Sequence, residues 1–549
     1  MTEIQLVSDF NTDVFGRYLA ADQTTPVCTV AKAPFGQLFQ ALQSPSSAGV
    51  GVVWARPEGV SPRYAGLLDG EAADLDALLA ETEAFAQLIR RFADSKTLVL
   101  VATLVPSRND RGLGMLDWSP MGPAYVLARM NARLAEALAG ARGVHLLDAG
   151  RWLEAGHGSP RSAKHWFALK CPFTEPVCQA AARDVKAALR GALGQSRKLV
   201  VVDLDDTMWG GVVGEVGWRK LRLGGHDHVG EAFVDFQKAL KALTRRGIQV
   251  ALVSKNDEAV ALDAIDNHPA MVLRRGDLAG WRINWTDKAR NVADLVAELN
   301  LGLSSVVFID DNPAERGRVA EALPEVLVPD WPKDPTLYGD ALRRLDCFEQ
   351  AAITAEDRNR TGMYVVERQR KDSVAAFTSL EDWLASLEIR VEAAPLDEVN
   401  LKRAVQLLNK TNQLNLRTRR LTETELLAWV AEGEGRQVMT LGVADRFGDL
   451  GLTGLISWER RGDDLEIADY LLSCRAMGRQ VEPYMLHLAV EAARAAGAKR
   501  VLARAIPTER NHPCLEFWRQ SGFAESEPNL FTWDAARPYA KPAAIQSGP

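Results

Sequence analysis

The sequence predicts a multidomain α/β protein, with an α/β N-terminal domain, a second α/β domain on a parallel sheet and an α+β C-terminal domain. Three observations carry this. The chain has 549 residues, too many for one hydrophobic core, and at about 150 residues per domain it calls for three or four domains. Through its first two thirds, short apolar runs alternate with long amphipathic patterns, as strands and helices wound into parallel sheets do. Beyond about residue 380 the order becomes helices, then consecutive strands, then a helix, which reads as α+β.

In the first stretch the runs 50–54, 98–104 and 144–147 predict strands, and the Ala/Leu-rich patterns 74–92 and 124–138 predict helices. The second stretch opens with the continuous apolar run 198–202, short enough for a buried parallel strand, and two more follow at 249–253 and 305–309. Amphipathic helices at 230–246 and 290–299 separate them. In the third stretch, helices at 380–387 and 396–408 precede strands at 437–443, 452–459 and 465–472 and a helix at 481–496. We divide the chain into 1–195, 196–350, a helical linker over 351–379, and 380–540.

Composition narrows the function. Apolar residues make up 47% and charged residues 25%, the balance of a globular protein and not of a disordered or fibrous one. Sixty-five Lys and Arg against 72 Asp and Glu leave a net charge of −7, so no broad basic field is present to attract nucleic acid. Glu3 stands where a signal peptide would be basic, and no run approaches the roughly 18 apolar residues of a membrane span. The expectation is a cytoplasmic protein with neither nucleic acid nor membrane as partner. Six cysteines form no CxxC pair, which argues against a zinc knuckle or a disulfide framework, so a special cysteine must act alone.

The chemistry gathers at strand ends. Directly after the first strand of the second domain comes Asp203-Leu204-Asp205-Asp206-Thr207, and in an open α/β sheet that end is where ligands bind. Side chains at i and i+2 of an extended segment share a face, so Asp203 and Asp205 can converge, one to attack phosphorus and one to move a proton. A carboxylate nucleophile amid that much negative charge calls for Mg²⁺. The second strand ends in Ser254-Lys255-Asn256-Asp257, a hydroxyl and adjacent amides suited to a phosphate oxygen. Lys288 precedes a helix, where its ammonium could screen charge, and the third strand ends in Asp310-Asp311, a second carboxylate pair for the metal.

These segments, DLDDTMWGGVVGEVG (203–217), LVSKNDE (252–258), NWTDKARNV (284–292) and VVFIDDNPAER (306–316), resemble the motifs of the FkbH-like branch of the haloacid dehalogenase (HAD) superfamily, subfamily IIIC phosphatases and glyceryl transferases. The resemblance implies a HAD-like Rossmannoid core with Asp203 as nucleophile and Asp205 as general acid/base. It implies Thr207 and Ser254 as phosphate contacts, with Lys255 and Asn256 beside them, Lys288 as charge stabiliser, and Asp310 as a Mg²⁺ ligand. Asp203, Asp205 and Asp311 complete the candidate metal set, with Asp311 either a ligand or a group behind one. Between these motifs only some tens of residues remain once the core helix and strand are counted, too few for a separate cap, so the site should be open and should admit a phosphate carried on something large. Trp209 to Gly214 is expected as a small flap, with an ordinary β-turn as the alternative.

In the third domain, Leu471 to Arg479 lies where a strand gives way to a helix, a place whose free amides bind phosphate. It resembles the acyl-CoA loop of GNAT acetyltransferases, an Arg-x-x-Gly-x-Gly segment, but Gln480 replaces the last glycine, which disfavours ordinary acetyl-CoA use. The segments 410–415, 445–449 and 473–475 are similar to those of FkbH-like proteins. That resemblance implies an enzyme that takes D-1,3-bisphosphoglycerate, a small phosphorylated three-carbon substrate, places the glyceryl group on a thiol, removes phosphate, and loads the phosphopantetheine thiol of an acyl carrier protein for polyketide-type biosynthesis. Cys474, beside Arg475 and expected at a helix start, is the best-placed thiol because both features lower a thiol pKa. His512 is a candidate base, and Asn412, Gln413, Arg475 and Asn511 are candidate substrate contacts, with helix capping the alternative for Asn412 and Gln413. Two rival readings stay open: a phosphatase for another small or carrier-bound phosphate with an inactive GNAT-like domain, and a non-catalytic scaffold for carrier proteins.

The first domain says least. Ser8-Asp9-Phe10-Asn11, with Asp148, His157 and His165, loosely resembles an SGNH-hydrolase arrangement, but the Gly-Asp-Ser nucleophile turn is missing. A degenerate domain in a docking role is the expectation.

Overall fold

The computed structural model describes residues 1–44, 46–108, 111–225, 227–353, 362, 379–433 and 435–547, apart from the side chains of Leu380, Cys474 and Ser547. Most of the helical linker expected over 351–379 lies outside the described residues. The chain forms two compact units, residues 1–192 with 422–426, and residues 193–421 with 427–549. It is α/β in its first two sheets and mixed in the third.

The first unit carries a five-stranded parallel sheet from β1 (Thr2–Val7), β2 (Cys28–Lys32), β3 (Val50–Val53), β4 (Leu98–Ala102) and β5 (Val144–Leu147), in the order β2-β1-β3-β4-β5. Helices cover both faces, because β3 and β4 are apolar at every position and need cover on each side. On one face Trp54 stacks on Phe173 at 4.8 Å; on the other, Phe85, Ile89 and Leu134 are buried.

The second unit begins with a four-stranded parallel sheet of β6 (Leu199–Val202), β7 (Gln249–Ser254), β8 (Gly280–Ile283) and β9 (Val306–Ile309), ordered β8-β7-β6-β9. The strands at 198–202, 249–253 and 305–309 are thus found within a residue of expectation. Alternation along β6 sends Leu199 and Val201 to the face holding Val292 and Phe308, and Val200 and Val202 to the face holding Trp209 and Phe236. Between β6 and β7 the described chain supplies the Gly210–Arg222 bridge, two short turns at Val213–Val216 and Trp218–Lys220, and the core helix His228–Arg245. Between β7 and the helix Lys288–Glu298 it supplies one helix, Glu258–Asn267, a short 3₁₀ turn and β8. No cap domain is inserted among the described residues.

The remainder of this unit is a mixed sheet of β10 (Ile389–Pro395), β11 (Leu414–Asn415), β12 (Gln437–Asp445), β13 (Gly448–Arg461), β14 (Asp464–Leu472), β15 (Arg500–Arg504), β16 (Ala524–Glu527), β17 (Leu530–Asp534) and β18 (Ile545–Ser547). The helix Val481–Ala495 packs into its core through Val481, Met485, Ala489 and Val490. β14 and β15 run parallel over four residue pairs, 464–467 with 500–503. Beyond that point β11 pairs with Leu471 and Leu472, Leu416 N–H donates to Tyr470 O, and Ile506 N–H donates to Leu416 O, so the chain's own backbone fills the space between the diverging strands.

Candidate active site

Asp203 leaves the end of β6 and Asp310 the end of its neighbour β9, the two strands being paired from Leu199–Val306 to Val202–Ile309. The register therefore sets the two aspartates side by side. Asp310 is fully buried and Asp203 nearly so. Lys288, the first residue of its helix, reaches both: its Nζ lies 2.6 Å from Asp310 Oδ2 and 3.0 Å from Asp203 Oδ1. The pair with Asp203 has the distance of an ion pair but not the alignment of a hydrogen bond, which leaves Asp203 Oδ1 as a buried acceptor without one. Burial pushes the Asp203 carboxyl up to about 7; Asp310's charge adds to the rise, while the Lys288 ammonium and the Ser254 hydroxyl oppose it. For Lys288, burial works against the charge, but the two carboxylates outweigh it and hold the ammonium above its ordinary value.

Behind these groups the loops are fixed by reciprocal bonds. Thr207 Oγ1 donates to Asp311 Oδ1 and accepts from Asp311 N, both at 3.0 Å. Arg316 donates to the carbonyls of Asp310 and Asp311, each at 2.8 Å. Asn312 N donates to Asp310 Oδ1 at 2.9 Å, and Asn291 braces Asn284 ahead of Lys288 at 2.8 Å. Burial raises the pKa of Asp311, with the Thr207 bond opposing and the charges of Asp310 and Asp206 adding to it.

Asp203, Asp310 and Asp311 each offer an oxygen within 4.8 Å of the others. An all-carboxylate donor set with one buried oxygen lacking a hydrogen bond fits a hard divalent cation such as Mg²⁺. Asp205 stands differently from its place in the expected ligand set. Its Oδ1 accepts from Trp209 Nε1 at 2.9 Å and from Val213 N at 3.0 Å, and its Oδ2 from Asn256 Nδ2 at 2.7 Å. The carboxylate is aimed by the Trp209–Gly214 segment, which also buries Trp209 and Val213 and so is packed structure more than an open flap. Ser254 is buried beside Asp203, whereas Lys255 turns to Glu315 at 2.6 Å. Thr207, expected at phosphate, spends its hydroxyl on Asp311.

In the mixed sheet, Asn412, Gln413 and Arg475 line one cleft of about 100 Å³ together with Lys198, Gln249, Arg403, Lys410 and Ser473. The helix expected from 481 does begin at Val481, but Cys474 sits in its own 3₁₀ turn, Cys474–Ala476, so no α-helix N-terminus adjoins it to lower its pKa. Gln480 caps that later helix in the left-handed region, φ 61° and ψ 13°. Gly478 N–H donates to Glu482 Oε1 at 2.7 Å, so an internal carboxylate stands on an amide that would otherwise face an anion. Asn511 is fully buried, and its amide holds the carbonyls of Asn415 and Ile506 and the amide N–H of Thr508, which makes it a brace for β11. His512 is 70% exposed, with Nδ1 3.4 Å from Glu516. In the first unit, Ser8 Oγ accepts from Phe10 N and Asp148 caps the helix Ala149–Glu154; no hydrogen bond joins Ser8 to His157 or His165 among the described residues.

Comparison with known proteins agrees with the fold. The N-terminal part of protein BF1531 from Bacteroides fragilis, a crystal structure containing a phosphatase domain complexed with Mg, superposes with a TM-score of 0.58 at 24% identity, covering 64% of this chain and 94% of that one. The ribosomal-protein-S18-alanine N-acetyltransferase of Escherichia coli matches 26% of this chain and 94% of its own at 9% identity, and a spermidine N-acetyltransferase SpeG mutant of Vibrio cholerae 27% and 94% at 12%. Their TM-scores of 0.20 and 0.21 carry no weight for fold or function. No family model and no curated protein matches the chain. No helix among the described residues is long and apolar enough to cross a membrane.

Sequence reasoning missed Arg316, Asn284 and Asn291, which act on backbone and on each other, and the cleft cations Lys198, Arg403 and Lys410. Asn284, Asn291, Arg316 and Lys410 lie within the segments that carry the resemblance, but nothing in those segments assigned them a role; Lys198 had a signal only as the residue just before a strand, and Arg403 had none.

Proposed function

We propose that the chain is a Mg²⁺-dependent phosphatase coupled to an acyl transferase of FkbH-like type. It takes the acyl phosphate of D-1,3-bisphosphoglycerate, carries the glyceryl unit as a thioester, releases the remaining phosphate and loads an acyl carrier protein. The observation that carries the phosphatase half is the buried group of Asp203, Lys288 and Asp310 with half-buried Asp311 beside it and Ser254 next to the expected nucleophile. The transferase half rests on the resemblance of 410–415 and 471–479, and on the gathering of Asn412, Gln413 and Arg475 in one cleft.

Asp203 would attack phosphorus through a carboxylate oxygen, forming an aspartyl phosphate as the bond to the leaving oxygen breaks. Asp205, held by three donors, is aimed to give that oxygen its proton and then to accept one from the water that hydrolyses the intermediate. Lys288 balances the charge of Asp203 and Asp310 as phosphorus is attacked. Mg²⁺, when bound by Asp203, Asp310 and Asp311, supplies further neutralisation of the phosphoryl oxygens. In the transferase half, a thiolate at Cys474 would add to the acyl carbonyl; the carbon–sulfur bond forms as the carbon–oxygen bond to phosphate breaks, and phosphate departs with the electron pair.

The bracing role of Asn511 and the exposure of His512 favour a second reading, a plain phosphatase with an inert third domain. Intact mass after exposure to freshly generated 1,3-bisphosphoglycerate and Mg²⁺, beside a Cys474→Ala control, separates the two. A glyceryl or phosphoglyceryl adduct on the wild type alone supports the coupled enzyme. Phosphate release without an adduct supports the plain phosphatase.

A further inference from the structure

The segments 412–420 and 508–510 line a hollow of about 360 Å³ through Asn412, Thr418, Arg420, Thr508, Glu509 and Arg510. Both segments are anchored on β11: Asn511 Nδ2 donates to Asn415 O at 3.0 Å and to Ile506 O at 2.9 Å, and Ile506 N–H donates to Leu416 O. The hollow lies away from the aspartates. Its Asn412 shares a cleft with Lys198, which precedes β6, whereas Asp203 follows that strand. Five residues of extended chain, roughly 17 Å, separate those two positions. A ligand held in the hollow is not presented to Asp203.

Its lining is rich in hydrogen-bond donors. Arg420 donates to the carbonyls of Leu408 and Thr411 and to Asn412 Oδ1, all neutral acceptors, and pairs with no carboxylate among the described residues. Part of this has a structural use, since a cation is favourable at the C-terminal end of the helix Leu401–Lys410. That use does not call for Arg510, whose side chain makes no hydrogen bond or ion pair among the described residues. Yet Arg510 stands close enough to act on its neighbour: burial, and after it the charge of Arg510, pull the Arg420 guanidinium down to about 10. Thr508 Oγ1 accepts from the amides of Arg510 and Asn511 at 3.3 and 3.2 Å, and its own hydrogen, like that of the Thr418 hydroxyl, has no acceptor among the described residues. Glu509 is the one carboxylate in the lining, and no ion pair joins it to either arginine.

A second observation is independent of charge. Thr418 stands at φ 49°, in the left-handed region where a β-branched residue is strained. Asn415 Oδ1 holds its amide there at 2.8 Å. Glycine would take this turn without strain, and what threonine adds is a hydroxyl on the wall of the hollow. Two guanidiniums, two hydroxyls and a carboxamide together offer a planar fork and several single donors, which suits an anion with at least three acceptor oxygens. The volume is at the lower end for small-ligand pockets and leaves room beside such an anion for a short organic chain.

We propose that this hollow binds a phosphate ester, held between Arg420 and Arg510 with the hydroxyls of Thr418 and Thr508 donating to its oxygens, and does not hydrolyse it. Glu509 takes no part in holding the phosphate and accepts from a hydroxyl or amide of the organic part. The ester belongs either to a small phosphorylated substrate or to the phosphopantetheine arm of a carrier. The meaning of the site rests on the proposed function, since a phosphate held here during acyl transfer is kept from Asp203. Binding itself can be tested apart from that function.

The experiment is calorimetric titration at low salt of the Asp203→Asn full chain in EDTA, which silences the aspartate site, with 3-phosphoglycerate, 4′-phosphopantetheine and inorganic phosphate as probes. The expected result is saturable, salt-sensitive binding of at least one ester, tighter than that of inorganic phosphate. Arg510→Gln should weaken it about tenfold or more, Glu509→Gln should tighten it about twofold or more by removing a like charge, and Lys333→Gln, an exposed cation elsewhere, should leave it unchanged. Tighter binding of 3-phosphoglycerate assigns the small substrate, and tighter binding of 4′-phosphopantetheine assigns the arm. Arg510 and Glu509 are both exposed, and an unchanged melting midpoint certifies the fold of each variant; if Arg510→Gln melts lower, Glu509→Gln decides alone. No binding of any probe at millimolar concentration, inorganic phosphate bound as tightly as the esters, or binding indifferent to 509 and 510 or equally weakened by Lys333→Gln overturns the proposal. Absence of hydrolysis in the wild type would instead refute the phosphatase reading and leave this site standing, because the titration needs no turnover.

Discussion

Replacing Asp203 with Asn tests the electrostatics of the site before any substrate is known. In the metal-free protein, burial raises this carboxyl from its ordinary 3.8 to about 7. The folded state therefore holds the proton more tightly than the unfolded chain, and stability is lost as pH rises from about 4 through 7. The rise spans about three pH units at about 1.4 kcal/mol each, so ionising Asp203 costs the apoprotein up to about 4 kcal/mol above pH 7. Asn has the same shape and cannot ionise. At pH 5 the fold still keeps the proton but the unfolded chain has lost it, so a little over a third of that cost, about 1.6 kcal/mol, is already present and the variant should melt slightly higher in EDTA. At pH 8.5 the variant should melt higher by more, roughly 4–8 °C for a unit of this size. Saturating Mg²⁺ should reverse the order, since the metal stabilises only the protein that can hold it. Scanning fluorimetry across pH in EDTA and in Mg²⁺ reads all of this. A melting difference that does not change with pH would mean that Asp203 ionises near its ordinary value, and the argument for a buried, metal-demanding cluster would fail.

Three further outcomes are expected. Phosphate release should vanish on chelation and return with Mg²⁺, and because cation and proton compete for Asp203, apparent Mg²⁺ affinity should fall about tenfold per pH unit below 7 and level off above it; a flat profile from pH 5.5 to 8.5 refutes the competition. Gln480→Gly should stabilise the protein by roughly 1 kcal/mol, since glycine removes the left-handed strain at φ 61° at the cost of a more flexible unfolded chain. Acetyl-CoA should still bind weakly to that variant by calorimetry, because Glu482 keeps the Gly478 amide; tight binding would show that the glutamine was the whole obstacle. Asn511→Ala should cost roughly 2–4 kcal/mol by leaving buried carbonyls of the β11 wedge unpaired, and a variant as stable as wild type with transfer selectively lost would return Asn511 to the substrate.

What could be read in advance follows from how local the cause was. Asp203, Ser254, Lys288 and Asp310 were legible because parallel strands of hydrophobic residues end at one edge of the sheet, so any polar group just past such a run lands beside the others. That reasoning places a residue at an edge without aiming its side chain. The resemblance, which implied Asp205 as acid/base and metal ligand and Thr207 at phosphate, aims no side chain either: Asp205 turns to Trp209, Val213 and Asn256, and Thr207 locks onto Asp311. β8 and β10 were missed because polar residues interrupt them, Arg282 in one and Arg390 and Glu392 in the other. In the mixed sheet the causes are long-range: Asn511 is a brace only because 415 and 506 meet across 91 residues. The cationic cleft is further from view still. Its lining comes from 198, 249, 403, 410–413 and 473–475, segments brought together only when the second and third sheets are folded against each other. The aspartate cluster was thus legible from strand ends, whereas the lining of the cleft is written in tertiary contacts.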